Sequence, residues 1–141
     1  ITAEEVDRAI IGYEEMQEVK SMVGSGGCMF FNEHTDIVML AWRTALFYAN
    51  ESCGKCTPCR DGTKWMLQIL ERIIEGKGKP GDIDLLKDVA GQIEGRSFCA
   101  LGDAAAWPVQ GMIRQFRHEF EYYIEHGKSM VTSERAMALR P

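Results

Sequence analysis

Three cysteines separated by two residues each lie in one short segment, residues 53–59 (CGKCTPC), and a further cysteine stands at position 99. In a [4Fe–4S] cubane each iron needs one thiolate, and this spacing lets one loop reach three irons while a distant cysteine reaches the fourth. Gly54 permits the unusual backbone dihedral angles that such a loop requires. The spacing therefore favours one cluster bound by Cys53, Cys56, Cys59 and Cys99.

Other uses of these cysteines fit the pattern less well. A zinc site of four cysteines usually consists of two separated pairs, whereas here three lie in one loop. A thioredoxin-type redox pair would need a βαβ setting, which the sequence lacks. Disulfides are disfavoured because the cysteine count of five is odd and no secretory features are visible. Spacing favours iron over zinc without settling the choice. We predict that the fifth cysteine, Cys28, packs in the core.

The charge, the hydrophobic runs and the motifs of the sequence disfavour several classes of function. A net charge of −5 gives no reason to expect nucleic-acid binding, which needs clustered cations. The most apolar run, residues 37–49, is shorter than the roughly 20 residues of a membrane helix and contains Arg43, so we expect no direct membrane insertion. No Ser/His/Asp set and no dinucleotide fingerprint is present, and we assign no catalytic residue. Basic residues near the cysteines could offset the charge of a thiolate-bound cluster: Lys55, Arg60, Lys64 and Arg96.

Hydrophobic periodicity predicts a mainly α fold of about four helices. The first helix covers residues 35–50, a loop follows over residues 51–62, and the last helix begins near Trp107 with a proline in its first turn. Alternate connections of an up-down bundle emerge at the same end, so the cysteine loop and Cys99 should meet there. The apolar stripes place three tryptophans in the core: Trp42, Trp65 and Trp107.

A small α+β fragment is predicted to precede the bundle. Residues 14–22 suit a short helix, the glycines of residues 24–27 suit a tight turn, and residues 28–31 (CMFF) suit a short apolar strand. The predicted organisation is a fragment at residues 1–33, a helical cluster-binding domain at residues 34–127 and a C-terminal tail at residues 128–141.

Residues 51–62 (ESCGKCTPCRDG), 94–103 (EGRSFCALGD) and 107–109 (WPV) together resemble the NADH- and flavin-binding subunits of respiratory complex I, the NADH:quinone oxidoreductase. Related subunits occur in NAD-linked hydrogenases and formate dehydrogenases, which are the alternative parents. The resemblance covers roughly residues 9–126. It implies that Cys53, Cys56, Cys59 and Cys99 are the cluster ligands and that residues 1–33 are the end of a β-grasp-like domain.

The resemblance also implies an electron relay. The cluster would accept electrons from FMN, which is reduced by NADH, and pass them to iron–sulfur clusters of a neighbouring subunit. Leu101 would lie on the flavin side. The FMN and NADH site of the family belongs to an N-terminal domain that these residues do not include, so we expect the chain alone to be non-catalytic. The expected location is the peripheral arm of a membrane-bound complex, on its cytoplasmic or mitochondrial-matrix face.

Overall fold

The computed structural model describes residues 1–131, and the predicted tail is therefore seen only up to Val131, with the remainder outside the described residues. Two compact units are present, one from Ile1 to Glu33 and one that begins at His34. The six helices of the described residues are α1 (Ala3–Val6), α2 (Glu15–Glu18), α3 (Ile37–Glu51), α4 (Thr57–Ile74), α5 (Asp82–Ile93) and α6 (Leu101–His126). The prediction of a mainly α fold is confirmed.

The second unit is a bundle of four helices. Each of α3, α4 and α5 packs against the next helix in the chain, and α6 closes the ring by packing against α3. In addition, α4 contacts α6 across the ring. The following are the largest of the fully buried core side chains: Tyr123, Phe120, Met66, Leu70, Ile73, Leu86 and Ile93. Helices connected in this way place alternate connections at the same end of the bundle.

A buried polar contact fixes the start of α3 against the last helix. Asp36 is the N-cap of α3, and its carboxylate accepts a hydrogen bond from the Met39 N–H at 2.9 Å. The Tyr123 hydroxyl of α6 donates to the other oxygen of Asp36 at 2.6 Å. Glu119 accepts the Ile37 N–H at 3.3 Å, and burial raises the pKa of that carboxyl. The contacts tie α3 and α6 together at the end opposite the α3–α4 connection.

The turn between α4 and α5 is held by Asp82, the first residue of α5. Its carboxylate is almost fully buried, accepts the Arg72 Nε–H at 2.9 Å and accepts the Lys79 N–H at 2.8 Å. Burial opposes ionisation of Asp82, but these donors outweigh it and the pKa of the carboxyl lies below its ordinary value. Asp82 therefore acts as a charged anchor between two helices.

Helix α6 begins at Leu101, six residues before the predicted start at Trp107. Pro108 therefore lies in the second turn of the helix, and Phe116 interrupts the regular dihedral angles further along. Gly127 ends the helix in the left-handed conformation, with φ at +67°, and donates its N–H to the Tyr123 carbonyl at 2.8 Å. The earlier start places Cys99 two residues before the helix rather than in a long loop.

The prediction of a strand at residues 28–31 is wrong. Within residues 1–131 no strand forms, and Cys28, Met29 and Phe30 are exposed, so the prediction of a core position for Cys28 is also wrong. A strand needs a second strand to hydrogen-bond with, and residues 1–33 supply none. The helix predicted at residues 14–22 is reduced to α2. The β-grasp assignment of this unit stays a prediction.

Two of the three tryptophans predicted to be core residues are exposed. Trp42 is 4% exposed, whereas Trp65 is 57% and Trp107 is 42% exposed. Trp65 lies at the edge of the apolar stripe of α4, and Trp107 donates its indole N–H to Glu94 at 2.6 Å. Within residues 1–131, every helix is too short or too polar to span a membrane.

Candidate metal centre

The first cysteine loop is the connection between α3 and α4, residues 52–56. Gly54 has φ at +78°, a left-handed conformation that favours glycine. Helix α4 begins at Thr57, so the predicted loop of residues 51–62 ends earlier than expected. The reason is Pro58, which is well suited to the first turn of a helix. Cys53 and Cys56 therefore lie in the connection, and Cys59 lies in the first turn of α4.

The second loop is the connection between α5 and α6, residues 94–100. Gly95 has φ at +68°, and its N–H donates to the Asp103 carboxylate of α6 at 2.7 Å. The Arg96 N–H returns to the carbonyl of Ile93 at 3.1 Å, which closes the end of α5. The chain is thereby turned so that Cys99 lies just before α6 and Leu101 is the first residue of that helix.

The two loops meet at the same end of the bundle. The Phe98 backbone N–H donates to Cys56 Sγ at 3.4 Å. All four predicted cysteines line one cavity of about 150 Å³, and Leu101 lines it too. The other lining residues are Glu51, Ser52, Lys55 and Ser97. The structure thus brings together the four predicted cysteine ligands and Leu101.

The thiols differ in their exposure to solvent. Cys59 is buried at 7% exposure, Cys56 is half-buried, and Cys53 and Cys99 are exposed. The Ser52 hydroxyl lies 3.2 Å from Cys59 Sγ. Within residues 1–131, no three His, Cys, Asp or Glu side chains are arranged to hold a single metal ion, so what the four thiols share is the cavity itself.

Two helix N-termini add positive potential at this end. Helix α4 starts after Cys56 and α6 starts after Ala100, and neither N-cap residue makes a side-chain hydrogen bond to its helix. The first N–H groups of a helix without such a cap point outward with the positive end of the helix dipole. Both ends adjoin residues that line the cavity, and they favour an anionic group there.

The flanking basic residues contribute unequally to the positive charge at the cavity. Lys55 lines the cavity. Arg60 forms a 3.0 Å ion pair with Asp61, and the hydrogen bond from Arg60 lowers the pKa of that carboxyl. Arg96 donates to the Gly91 carbonyl and to Gln92, both at 2.8 Å, and so serves the end of α5. Of the basic residues proposed to offset cluster charge, Lys55 is the one that faces the cavity.

The sequence that forms this site matches a known protein family. Residues 39–123 match the family model described as the NADH-ubiquinone oxidoreductase-F iron-sulfur binding region. The chain belongs to this family. The match spans all four cysteines of the cavity, and the family description supports the prediction of an iron–sulfur cofactor.

Several proteins are similar to this chain over most of its length. An NADH-quinone oxidoreductase subunit of Rhizobium meliloti is 45% identical over 129 residues, which are 92% of this chain and 30% of that protein. The mitochondrial NADH dehydrogenase [ubiquinone] flavoprotein 1 of Dictyostelium discoideum is 44% identical over 115 residues, 82% of this chain and 24% of that protein. The chain thus spans less than a third of the length of the curated relatives it matches.

A solved structure is similar as well. The air-oxidised NAD⁺-reducing [NiFe]-hydrogenase aligns with a TM-score of 0.64 and 34% identity, over 67% of this chain and 17% of that chain. The same hydrogenase in its H₂-reduced state aligns with a TM-score of 0.63. The chain is therefore similar to parts of NADH-quinone oxidoreductase subunits and to part of an NAD⁺-reducing hydrogenase.

Sequence reasoning missed two serines that line the cavity, Ser52 and Ser97. Each lies within two residues of a predicted cysteine ligand, but serine is common in loops and its position alone does not distinguish it. The contact of the Phe98 N–H was also missed, because a backbone donor leaves no trace in the residue type.

Proposed function

We propose that Cys53, Cys56, Cys59 and Cys99 bind one [4Fe–4S] cluster and that the chain is an electron relay. The observation that carries this proposal is the shared cavity of the four thiols, with the Phe98 N–H bonded to Cys56 Sγ across 42 residues of sequence. A cubane needs one thiolate for each of its four irons, and three cysteines from one short segment with one from a distant segment supply them.

The residues of the chain fit such a cofactor. When bound, a [4Fe–4S] cluster supplies one-electron redox chemistry. Gly54 lets the first loop bend around it, and the backbone N–H of Phe98 offers a hydrogen bond to sulfur. The N-termini of α4 and α6, together with Lys55, favour the negative charge of four thiolates. The buried side of the cavity, at Cys59, limits the access of water.

We propose that electrons reach this site from FMN, reduced by NADH, and leave to iron–sulfur clusters of a neighbouring subunit of an NADH:quinone oxidoreductase. Relatives named as NADH-quinone oxidoreductase subunits, at up to 48% identity over most of this chain, support this assignment. The FMN and NADH site belongs to a part of the longer protein that these residues do not contain. Leu101 is the proposed flavin-side contact, as the family resemblance implies; it is the first residue of α6 and lines the cavity beside Cys99.

The alternative parent is an NAD-linked hydrogenase or formate dehydrogenase. The 34% identity to the NAD⁺-reducing [NiFe]-hydrogenase favours the hydrogenase of these two, and it is lower than the identity to the quinone oxidoreductase subunits. Purification of the full-length protein with its partner subunits separates the parents: NADH-dependent quinone reduction supports the first, and H₂- or formate-dependent NAD⁺ reduction supports the alternatives.

The proposed location is the peripheral arm of the membrane-bound complex, on its cytoplasmic or mitochondrial-matrix side. This follows from the proposed parent complex. Cell fractionation with an antibody to the chain tests it: the protein should follow the membrane fraction and should remain open to protease on the cytoplasmic or matrix side.

Anaerobic reconstitution with iron and sulfide, followed by metal analysis, tests the cofactor. We expect about four irons and four sulfides for each chain, a brown colour and a visible band that dithionite bleaches. A colourless protein that retains one zinc would support instead a zinc-stabilised helical interaction module. The reconstituted chain alone should not oxidise NADH.

A further inference from the structure

Ser97 carries a buried hydroxyl whose hydrogen-bonding capacity is unused. Its Oγ atom is shielded from solvent and makes no hydrogen bond to any of the described residues. The residue lines the cavity that the four cysteines share. A buried hydroxyl without a partner costs about 1–3 kcal/mol, so a partner supplied by a bound group would remove a real penalty.

The backbone around Ser97 keeps this hydroxyl in place. A Cβ atom on Gly102, in the first turn of α6, would lie 2.5 Å from Ser97 Oγ and 2.7 Å from Ser97 Cβ. The same position lies 3.3 Å from Cγ2 of Ile93, the last residue of α5. Ser97 is therefore wedged between the end of α5 and the start of α6, and glycine at position 102 makes the room.

The other serine of the cavity is already satisfied. Ser52 Oγ lies 3.2 Å from Cys59 Sγ and accepts the Gly54 N–H at 3.4 Å. Ser97 has no such contact, although the thiols that line the same cavity are potential acceptors. Ser97 is thus the serine of this cavity whose hydroxyl has no hydrogen-bond partner among the described residues.

We propose that the Ser97 hydroxyl donates a hydrogen bond to a sulfur atom of the bound cluster and raises its reduction potential. The inference rests on the proposed function. Reduction adds negative charge to the cluster, so a donor to sulfur stabilises the reduced form more than the oxidised form. Ser97 binds no iron itself; its hydrogen bond to sulfur tunes the potential.

Redox titration of the reconstituted chain, followed by electron paramagnetic resonance, tests this role. Ser97→Ala should still assemble its cluster, and its reduction equilibrium should shift about tenfold toward the oxidised form, which is about 59 mV for one electron. Ser97→Thr keeps the hydroxyl and should titrate like the wild type. Ser129→Ala removes a hydroxyl that does not line the cavity and should also leave the potential unchanged.

An unshifted potential in loaded Ser97→Ala overturns the inference, and so does an equal shift in Ser97→Thr. If Ser97→Ala fails to hold a cluster, Gly102→Ala provides the test instead. The methyl group of the new alanine must displace the Ser97 hydroxyl. Gly102→Ala should lower the potential, and a wild-type value there would refute the role of Ser97. The proposed function fails separately, when the wild-type chain assembles no [4Fe–4S] cluster at all.

Discussion

The backbone N–H of Phe98 donates a hydrogen bond to Sγ of Cys56 at 3.4 Å, although the two residues are 42 positions apart in the sequence. The bond joins the α3–α4 connection to the α5–α6 connection. Because Cys99 directly follows Phe98, the same contact brings the lone cysteine to the three that are close in sequence. The Phe98 side chain takes no part and is 89% exposed.

Replacement of Cys99 should abolish a stable cluster, because one iron would lose its thiolate. We expect Cys99→Ser to retain less than about a tenth of the iron and sulfide of the wild type after desalting, by analogy with the 10–100-fold losses typical of disturbed metal sites. Cys28→Ser is the matched control, since Cys28 lies in the other unit and does not line the cavity. Equal losses in the two variants would show that the ligand set is wrong.

The Phe98 contact can be removed without changing a cysteine. Phe98→Pro deletes the N–H and should weaken cluster retention, since a hydrogen bond to a charged acceptor contributes about 1.5–3 kcal/mol. Phe98→Ala keeps the N–H and should retain the cluster like the wild type. The rate of cluster loss to an iron chelator measures both. Similar rates for the proline and alanine variants would contradict a role for the N–H.

Two glycines of the bundle should respond to alanine in opposite directions. A Cβ on Gly62 of α4 would lie 2.6 Å from Cγ1 of Ile93, so Gly62→Ala should lower the free energy of unfolding by about 1–3 kcal/mol. Gly91 in α5 has open space around it, and Gly91→Ala should raise that free energy by about 0.5–1 kcal/mol. Urea unfolding followed by circular dichroism measures both. Equal effects would show that α4 and α5 do not pack as described.

The Asp82 anchor should make stability depend on pH. The pKa of Asp82 is lowered in the folded chain, so its contribution is present above the ordinary value of 3.8 and is lost as pH falls through the lowered pKa. Asp82→Asn should therefore reduce the free energy of unfolding at pH 7 by about 1–2 kcal/mol, and this difference should shrink below pH 3.8. Urea unfolding at a series of pH values provides the measurement. A difference that stays constant down to about pH 2 would contradict the ionised anchor.

The sequence predicted the parts of this molecule that depend on local patterns. The spacing of Cys53, Cys56 and Cys59 predicted a shared cysteine site, and regular apolar stripes predicted the four long helices. The position of Cys99 followed from helix order, because alternate connections share one end of a bundle. These inferences needed no knowledge of individual contacts.

Features that depend on partners distant in sequence were missed. Residues 28–31 have the composition of a strand, but a strand forms only where another strand can pair with it. Trp65 belongs to an apolar stripe by spacing, yet its position at the edge of that stripe leaves it exposed. The role inferred for Ser97 depends on the absence of a side chain at Gly102, which only the packing of α5 against α6 reveals.

A crystal structure of the anaerobically reconstituted chain, with anomalous diffraction measured at the iron edge, tests the central claim most directly. We expect one compact group of four irons in the cavity between the two connections, with one iron bonded to each of Cys53, Cys56, Cys59 and Cys99. A metal group bonded to the first three cysteines alone, with Cys99 Sγ turned away, would contradict the account. So would a single zinc ion at the same place.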